Sequence, residues 1–311
     1  MGFLNLRVSK QNLGNFSIGG NMIDLHVHLD GSIRETTLKE LYEGELPSVT
    51  FYPNMGITEA LDCFRTTLSV MQTLDNITRI THELCEDLEL MGTKRSEIRF
   101  APQLHCNGQI EKVIDAAVSG LKPRHNLILC GLYGESPEVL ESLVKAAKTR
   151  PRVVGIDLAA APLDSHQWGI MDYSEAFTEA KRAGLGRTVH AGEGRPADEI
   201  RIAIEHLHAQ RIGHGLSVLG DKKVADLVRE RNVHIEACPT SNIHTGCIEK
   251  FEYHPMIAWL KEDIRFSLCC DNVLLSETWG RKEYFKARLL CDMTFEQQNQ
   301  TQIWAKEALF S

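Results

Sequence analysis

Two histidines separated by one residue, His26 and His28, stand where an apolar stretch ends in the segment HVHLDGS. In an extended strand, side chains at positions i and i+2 point to the same face, so both imidazoles could bind one cation. The same spacing also suits two hydrogen-bonded histidines on a half-buried strand, which makes the pair weak evidence for a metal site by itself. Further segments of the chain carry side chains that could complete such a site.

The elements that position this pair are predicted by the apolar pattern. Eight short β-type runs alternate with stretches of helical spacing, and two helices are expected within 58–91, between the first and second strands. Such alternation predicts parallel strands with right-handed crossovers, and eight units favour a single (β/α)8 barrel with extra helices after strand 1. An open doubly wound sheet is the alternative, but no glycine-rich nucleotide-binding motif follows the first run. The predicted strands are Met22–His26, Ile98–Leu104, Leu127–Leu132, Val153–Leu158, Arg187–His190, Arg211–His214, Val233–Ala237 and Ile264–Leu268.

A barrel of this kind carries its chemistry at the C-terminal ends of its strands. Several side chains that could bind a metal or transfer a proton fall at these ends. Together they are difficult to explain by packing alone, so the sequence predicts a functional site at this rim. These residues are His26 and His28 at strand 1, His190 and then Glu193 at strand 5, His214 at strand 6 and Asp271 after strand 8.

Composition limits what the site can belong to. With 311 residues, 43% of them apolar, the chain could bury one barrel-sized core. A net charge of −8, without basic clusters, argues against a nucleic-acid partner. Nine cysteines, an odd number with no CxxC pair, favour a reducing compartment, and neither a signal peptide nor a membrane span is visible in the sequence. We therefore expect a cytoplasmic protein with no membrane partner, an N-terminal extension at 1–20 and a catalytic domain at 21–311.

The motifs HVHLDGS, VVGIDLA, HAGE, RIGHG and CPTSN, followed by the aspartate after strand 8, resemble in this order those of the adenosine deaminase family of metal-dependent aminohydrolases. The resemblance runs from about residue 22 to the C-terminus. It implies one zinc ion per chain, bound by His26, His28, His190 and Asp271. It also implies catalytic roles for Glu193 as the proton donor and for His214, which acts on the metal-bound water with the help of Asp271. The substrate contacts that it implies are His28, Asp30, Ala160 and Asn272, with Asp30 near the ribose 5′-hydroxyl.

The chemistry of these residue types fits the implied reaction, which is the hydrolytic removal of the 6-amino group of a purine nucleoside such as adenosine or 2′-deoxyadenosine. Three imidazoles and one carboxylate suit Zn²⁺, which lowers the pKa of a bound water to about 7 and supplies hydroxide. Glu193 could protonate ring N1 as hydroxide attacks C6. Strand 4 offers no lysine of the kind that bridges two metals in related barrels, so a single metal is favoured.

Several pocket positions depart from the family pattern. Asn272 replaces the second of two consecutive aspartates, the residue that contacts purine N7 in the family, and Ala160 replaces a glycine whose N–H faces N3. Tyr133 and Gly134 stand where an Arg-His pair is common. These changes leave two alternatives open. One is a deaminase of a modified adenosine, adenine or another aminoheterocycle, and the other is a non-catalytic nucleoside-binding relative.

Overall fold

The computed structural model describes residues 22–55, 57–163 and 165–310, without the side chains of residues 57, 58 and 61. The extension expected at residues 1–20 lies outside this range. Eight parallel strands pair in the order of the sequence, β1 to β8, which confirms the predicted (β/α)8 barrel. The strands are Met22–His28 (β1), Thr93–Phe100 (β2), His125–Leu132 (β3), Val153–Ala159 (β4), Gly186–Ala191 (β5), Arg211–His214 (β6), His234–Ala237 (β7) and Phe266–Leu268 (β8).

The barrel closes between β1 and the residues just after β8. Val27 and Asp271 form a parallel bridge. The His28 N–H donates to the carbonyl of Asp271 at 2.7 Å, and the Asp271 N–H donates to the carbonyl of His26 at 2.9 Å. The backbone of Asp271 is therefore fixed between the two histidines of the HVH segment.

Twelve helices surround the barrel within the described residues. Three of them lie between β1 and β2; the second and third match the two helices predicted within 58–91, whereas the first, Glu35–Leu41, was not predicted. Thr73 separates the second from the third, because its hydroxyl accepts a hydrogen bond from the N–H of Asn76 and caps the third helix. The helices are Glu35–Leu41 (α1), Ile57–Ser69 (α2), Leu74–Leu90 (α3), Ile110–Gly120 (α4), Pro137–Ala147 (α5), Ser174–Arg182 (α6), Ala197–Glu205 (α7), Lys222–Glu230 (α8), Pro239–His244 (α9), Met256–Lys261 (α10), Gly280–Cys291 (α11) and Phe295–Glu307 (α12). Across the described part of the chain, no helix combines the length and the apolar character needed to cross a membrane.

The second strand lies earlier in the chain than predicted. It covers Thr93–Phe100, whereas the apolar run predicted 98–104, and Pro102–Leu104 form a 3₁₀ turn instead. Proline has no N–H to donate to a neighbouring strand, so the strand ends before Pro102 although the apolar residues continue. The first strand is two residues longer than predicted and includes His28.

The end of the barrel opposite the histidines is filled by Phe310. Its ring lies 3.6 Å from the guanidinium carbon of Arg211, in a cation–π contact. The ring also packs where β4 and β5 carry Gly155 and Gly186, and a Cβ atom at either glycine would overlap it. Phe310 thus packs against the N-terminal ends of the strands, and the candidate site lies at their C-terminal ends.

Candidate active site

Four side chains of the predicted metal site converge at the C-terminal ends of the strands. The Nε2 atoms of His28 and His190 lie 3.4 Å apart. One carboxylate oxygen of Asp271 lies 3.5 Å from the Nε2 atoms of both His26 and His28. The donor atoms of the three histidines all lie within 4.8 Å of one another. The Nε2 atom of His26 is buried with no hydrogen-bond partner, an orphaned polar atom that a cation in the cluster would satisfy.

Asp271 and His214 hold left-handed backbone conformations. Asp271 has φ of 61° and His214 has φ of 64°, values that are uncommon for residues other than glycine. Both follow or end a strand at the open mouth of the barrel. Backbone conformations of this kind concentrate at functional sites, where the surrounding structure enforces them.

A layer of buried charges lies below the histidines. The His26 Nδ1–H donates to Glu236 at 2.8 Å, and Nδ1 of His190 lies 3.1 Å from Asp157. Arg99 joins the two carboxylates, at 2.8 Å from Asp157 and 2.9 Å from Glu236. A histidine whose Nδ1–H is held by a carboxylate presents the lone pair of Nε2 to a metal, so this layer orients two of the ligands.

The electrostatics of this layer keep the carboxylates charged. Burial opposes ionisation of Asp157, but the neighbouring His190 and Arg99 hold its pKa well below the usual range. Burial likewise opposes ionisation of Glu236, and Arg99 together with Arg211 lowers its pKa. Fixed negative charges at these positions favour a cation above them.

A second group of potential metal ligands overlaps the first. It joins Cys238 to His26 and Asp271, again with all donor atoms within 4.8 Å. Burial raises the pKa of the Cys238 thiol well above its usual value, which disfavours the thiolate form. The structure thus offers three imidazoles and a carboxylate as the fuller donor set, with Cys238 beside it.

Glu193 and His214 lie next to this cluster and share a hydrogen-bonding partner. The Glu193 carboxylate is 3.5 Å from Nε2 of His214. Asn242, fully buried on α9, donates to Glu193 Oε1 at 2.7 Å and lies 3.0 Å from Nδ1 of His214. The Thr245 hydroxyl also donates to Glu193 Oε1, at 3.0 Å. Burial lowers the pKa of His214 to about 4, so its ring is neutral at pH 7.

The predicted substrate-contacting residues line the rim around these groups. Asp30 is buried, one of its oxygens has no hydrogen-bond partner, and burial together with the charge of Asp271 raises its pKa to about 7. The amide oxygen of Asn272 is also buried and unpartnered, and the side chain packs against Gly31, where a Cβ atom would overlap it. Ala160 is exposed and has φ of 63°, a conformation that glycine adopts at lower energy.

Sequence reasoning missed the residues that support the site. Tyr133 was interpreted only as a departure from the family pattern. Its hydroxyl donates a hydrogen bond to the backbone carbonyl of His190 at 3.0 Å. The others are charged or amide residues inside strands or within the CPTSN motif. Charged residues in apolar strand runs are a usable signal, since a buried charge requires a partner. These residues are Arg99, Asp157, Glu236 and Asn242.

The fold and the site together define a barrel enzyme of the hydrolase class, with a cluster that could hold a metal ion at its catalytic rim. The adenosine deaminase family model matches residues 22–310. Adenosine deaminase of Clostridium botulinum is 34% identical over 93% of this chain and 94% of its own length. The chain therefore belongs to the adenosine deaminase family and is a deaminase.

Solved structures show the same fold. Adenine deaminase from Arthrobacter aurescens is 22% identical, with a TM-score of 0.84 and coverage of 94% of both chains. N6-methyl-AMP deaminase from Arabidopsis thaliana is 24% identical, with a TM-score of 0.83 over 94% of this chain and 92% of its own. These neighbours act on different aminopurines, so the fold leaves the substrate open.

Proposed function

We propose that the protein is a zinc-dependent enzyme that hydrolyses the 6-amino group of adenosine or 2′-deoxyadenosine, giving inosine or 2′-deoxyinosine and ammonia. The observation that carries this proposal is the convergence of three histidines and Asp271, close to Glu193 and His214, at the C-terminal ends of the strands. Membership of the adenosine deaminase family supports the reaction class. The finer choice of a nucleoside substrate rests on Asp30.

One zinc ion per chain would be held by His26, His28, His190 and Asp271. The fit is supported by the unpartnered Nε2 of His26 and by a donor set of imidazoles and carboxylate, which zinc prefers. When bound, the ion would lower the pKa of a water to about 7 and so supply a hydroxide nucleophile at neutral pH. Strand β4 supports a single ion, because it carries Asp157, paired with His190, and no lysine that could bridge two metals.

Glu193 is the residue proposed to deliver the proton. Attack of hydroxide at C6 moves an electron pair from the C6–N1 double bond onto N1, and the carboxyl proton of Glu193 forms the N1–H bond. The C6–N6 bond then breaks as the proton of the added hydroxyl passes to the amino group, which leaves as ammonia while C6 becomes a carbonyl. His214 lies beside Glu193 and would hydrogen-bond the attacking oxygen. Asp271 contributes the negative charge that keeps this oxygen and the histidines oriented.

Asp30 supports a nucleoside rather than a nucleotide. Its unpartnered, buried oxygen could accept a hydrogen bond from a ribose hydroxyl, whereas a phosphate at the same place would put a second negative charge beside a carboxylate already close to Asp271. We expect kcat/KM for adenosine to exceed that for adenosine 5′-monophosphate by at least about tenfold, or about 1.4 kcal/mol. The Asp30→Asn variant should have a lower ratio of kcat/KM for adenosine to kcat/KM for adenosine 5′-monophosphate. Equal rates for both substrates with the wild-type protein would contradict the assignment.

A panel of substrates tests the proposal as a whole. Zinc-loaded protein would be incubated with adenosine, 2′-deoxyadenosine, adenine and N6-methyladenosine, and the change in ultraviolet spectrum would be followed while metal content is measured. The proposal predicts turnover of the first two compounds at the highest kcat/KM. A preference for adenine or N6-methyladenosine would favour the altered-pocket alternative, and a fully loaded protein that binds adenosine without converting it would indicate a non-catalytic relative.

Asn272 gives a separate prediction about the purine ring. Its amide oxygen lies where a Cβ atom of residue 31 would be, and we propose that the amide NH₂ donates to N7 of the purine. In 7-deaza-adenosine a carbon replaces N7 and cannot accept, so the amide donor stays unpaired. We expect a loss of about 1–3 kcal/mol in transition-state binding, measured as kcat/KM relative to adenosine. Equal kcat/KM values for the two compounds would show that Asn272 does not read N7.

A further inference from the structure

Asn242 is the group that connects the two proton-handling residues of the site. It follows β7 directly, in the first turns of α9, and its side chain is fully buried. The main chain around it is fixed, because its N–H donates to Cys238 at 3.0 Å and its carbonyl accepts from Ile248 at 3.1 Å. Thr240, two residues earlier, is held by the Glu283 carboxylate of α11. The amide therefore has little freedom to turn away from its partners.

The two N–H groups of this amide have two different acceptors. One lies 2.7 Å from Glu193 Oε1 and the other is directed at Nδ1 of His214, at 3.0 Å. A neutral imidazole has one protonated and one bare nitrogen, and the nitrogen that accepts a hydrogen bond must be the bare one. His214 then carries its proton on Nε2. This nitrogen lies 3.5 Å from Glu193 Oε2, too far for a good hydrogen bond between them.

Both of the short hydrogen bonds that Glu193 accepts are made to the same oxygen, Oε1. Its Oε1 atom accepts from Asn242 and from the Thr245 hydroxyl, at 2.7 and 3.0 Å. An oxygen that accepts two hydrogen bonds is a poor place for the acid proton, so this proton belongs on Oε2. The two protonated atoms, Oε2 of Glu193 and Nε2 of His214, are then neighbours on the side of the site away from Asn242.

We propose that Asn242 is a positioning residue that fixes both protons: it keeps the acid proton on Glu193 Oε2 and makes His214 a hydrogen-bond donor through Nε2 rather than a base. The inference rests on the proposed function for the roles of Glu193 and His214. In the reaction, Glu193 Oε2–H is aimed at the ring nitrogen, while the Nε2–H of His214 stabilises negative charge on the attacking oxygen.

The opposite orientation of the Asn242 amide would reverse the positions of both protons. If the amide were turned by 180°, its oxygen would accept from Nδ1–H of His214 and from a proton on Glu193 Oε1. His214 would then present a bare Nε2 and act as a base. Once Glu193 has given up its proton, the turned amide would place its oxygen 2.7 Å from a carboxylate oxygen and repel it, so only the arrangement with the amide NH₂ toward Glu193 suits both states of this carboxyl.

The experiment measures the tautomer of His214 and the rate together. In zinc-loaded wild-type protein with ¹⁵N-labelled histidine, the NMR signals of His214, assigned by their loss in His214→Gln, should report a protonated Nε2 and a bare Nδ1. The nearly isosteric Asn242→Asp variant offers only acceptors, so it should shift the proton to Nδ1. We expect kcat to fall about 10²-fold in this variant, with KM within about threefold and zinc content unchanged.

Thr245→Val is the matched control, since it removes a donor to Glu193 Oε1 and leaves the contact between Asn242 and His214. It should lower kcat by less than Asn242→Asp does, and it should leave the tautomer unaltered. A wild-type His214 protonated on Nδ1 would overturn the proposal, as would an Asn242→Asp variant with the wild-type kcat. The NMR measurement needs no substrate, so it decides the inference even if the substrate panel refutes the proposed function.

Discussion

Replacing Glu193 by glutamine is expected to lower kcat by about 10²–10⁴-fold while the fold and the bound metal are retained. Glutamine has nearly the same shape, and its amide oxygen can still accept from Asn242 and Thr245, which both donate to Glu193 Oε1. It has no acid proton to give to N1 of the purine. The measurement is steady-state deamination of adenosine, with metal content and thermal unfolding compared in parallel.

Glu199→Gln is a suitable control for this substitution. Glu199 is a carboxylate on α7, the helix that follows Glu193, and it forms an ion pair with Arg195. The Glu199→Gln substitution should leave kcat within a few fold of the wild-type value. If Glu193→Gln behaved like this control, another group would have to protonate the ring, and the proposed role of Glu193 would be wrong.

The sequence predicted the barrel and the residues at its rim because both depend on local patterns. Strands that alternate with helices specify parallel pairing, and a side chain at a strand end reaches the same rim in every unit. His26, His190 and Asp271 were found in this way, and the structure brings them within a few ångströms. The position of β2 was wrong by several residues, because the apolar run continues through Pro102 after hydrogen bonding to the neighbouring strands has ended.

Helices α11 and α12 show where prediction from the apolar pattern fails. Sequence reasoning assigned no helix after β8, yet α11 and α12 pack there. Helix α12 buries Gln298 and Thr301 while it exposes Ile303, which inverts the usual amphipathic pattern. The buried Gln298 donates to the carbonyl of Tyr284 on α11, so a polar contact between helices replaces the apolar face. The start of this helix is signalled in the sequence by Thr294 and Gln297, which form a capping box, but the face that it buries can be recognised only once its neighbour is known.

The buried charges below the site were missed for a related reason. Arg99, Asp157 and Glu236 come from three different strands, and they meet only across the interior of the barrel. No local sequence pattern indicates that these three side chains form ion pairs with one another. Their partners become evident only in the closed barrel, where one arginine lies between the carboxylates that hold His26 and His190.

Removal of two of the proposed metal ligands should have the largest effect on zinc content and on activity. We expect wild-type protein to retain about one zinc per chain, and the double variant His26→Ala and His28→Ala to lose both the zinc and detectable deaminase activity. Two of the four donors are then gone, and Asp271 faces the cluster without the imidazoles that it contacts. Elemental analysis after dialysis against a chelator measures the effect directly, independently of any substrate.

Two further variants distinguish residues that would bind the metal from residues that orient the metal-binding histidines. Cys238→Ser should keep the zinc, because the thiol belongs to the weaker of the two donor sets. Arg99→Met leaves every ligand in place but removes the cation between Asp157 and Glu236, so the two buried carboxylates repel each other and hold the histidines less firmly. We expect zinc affinity to fall by about 10–100-fold, the usual range for groups that orient metal ligands. Zinc loss in Cys238→Ser, or two zinc ions per wild-type chain, would contradict the proposal, because it assigns a single ion to four donors that do not include Cys238.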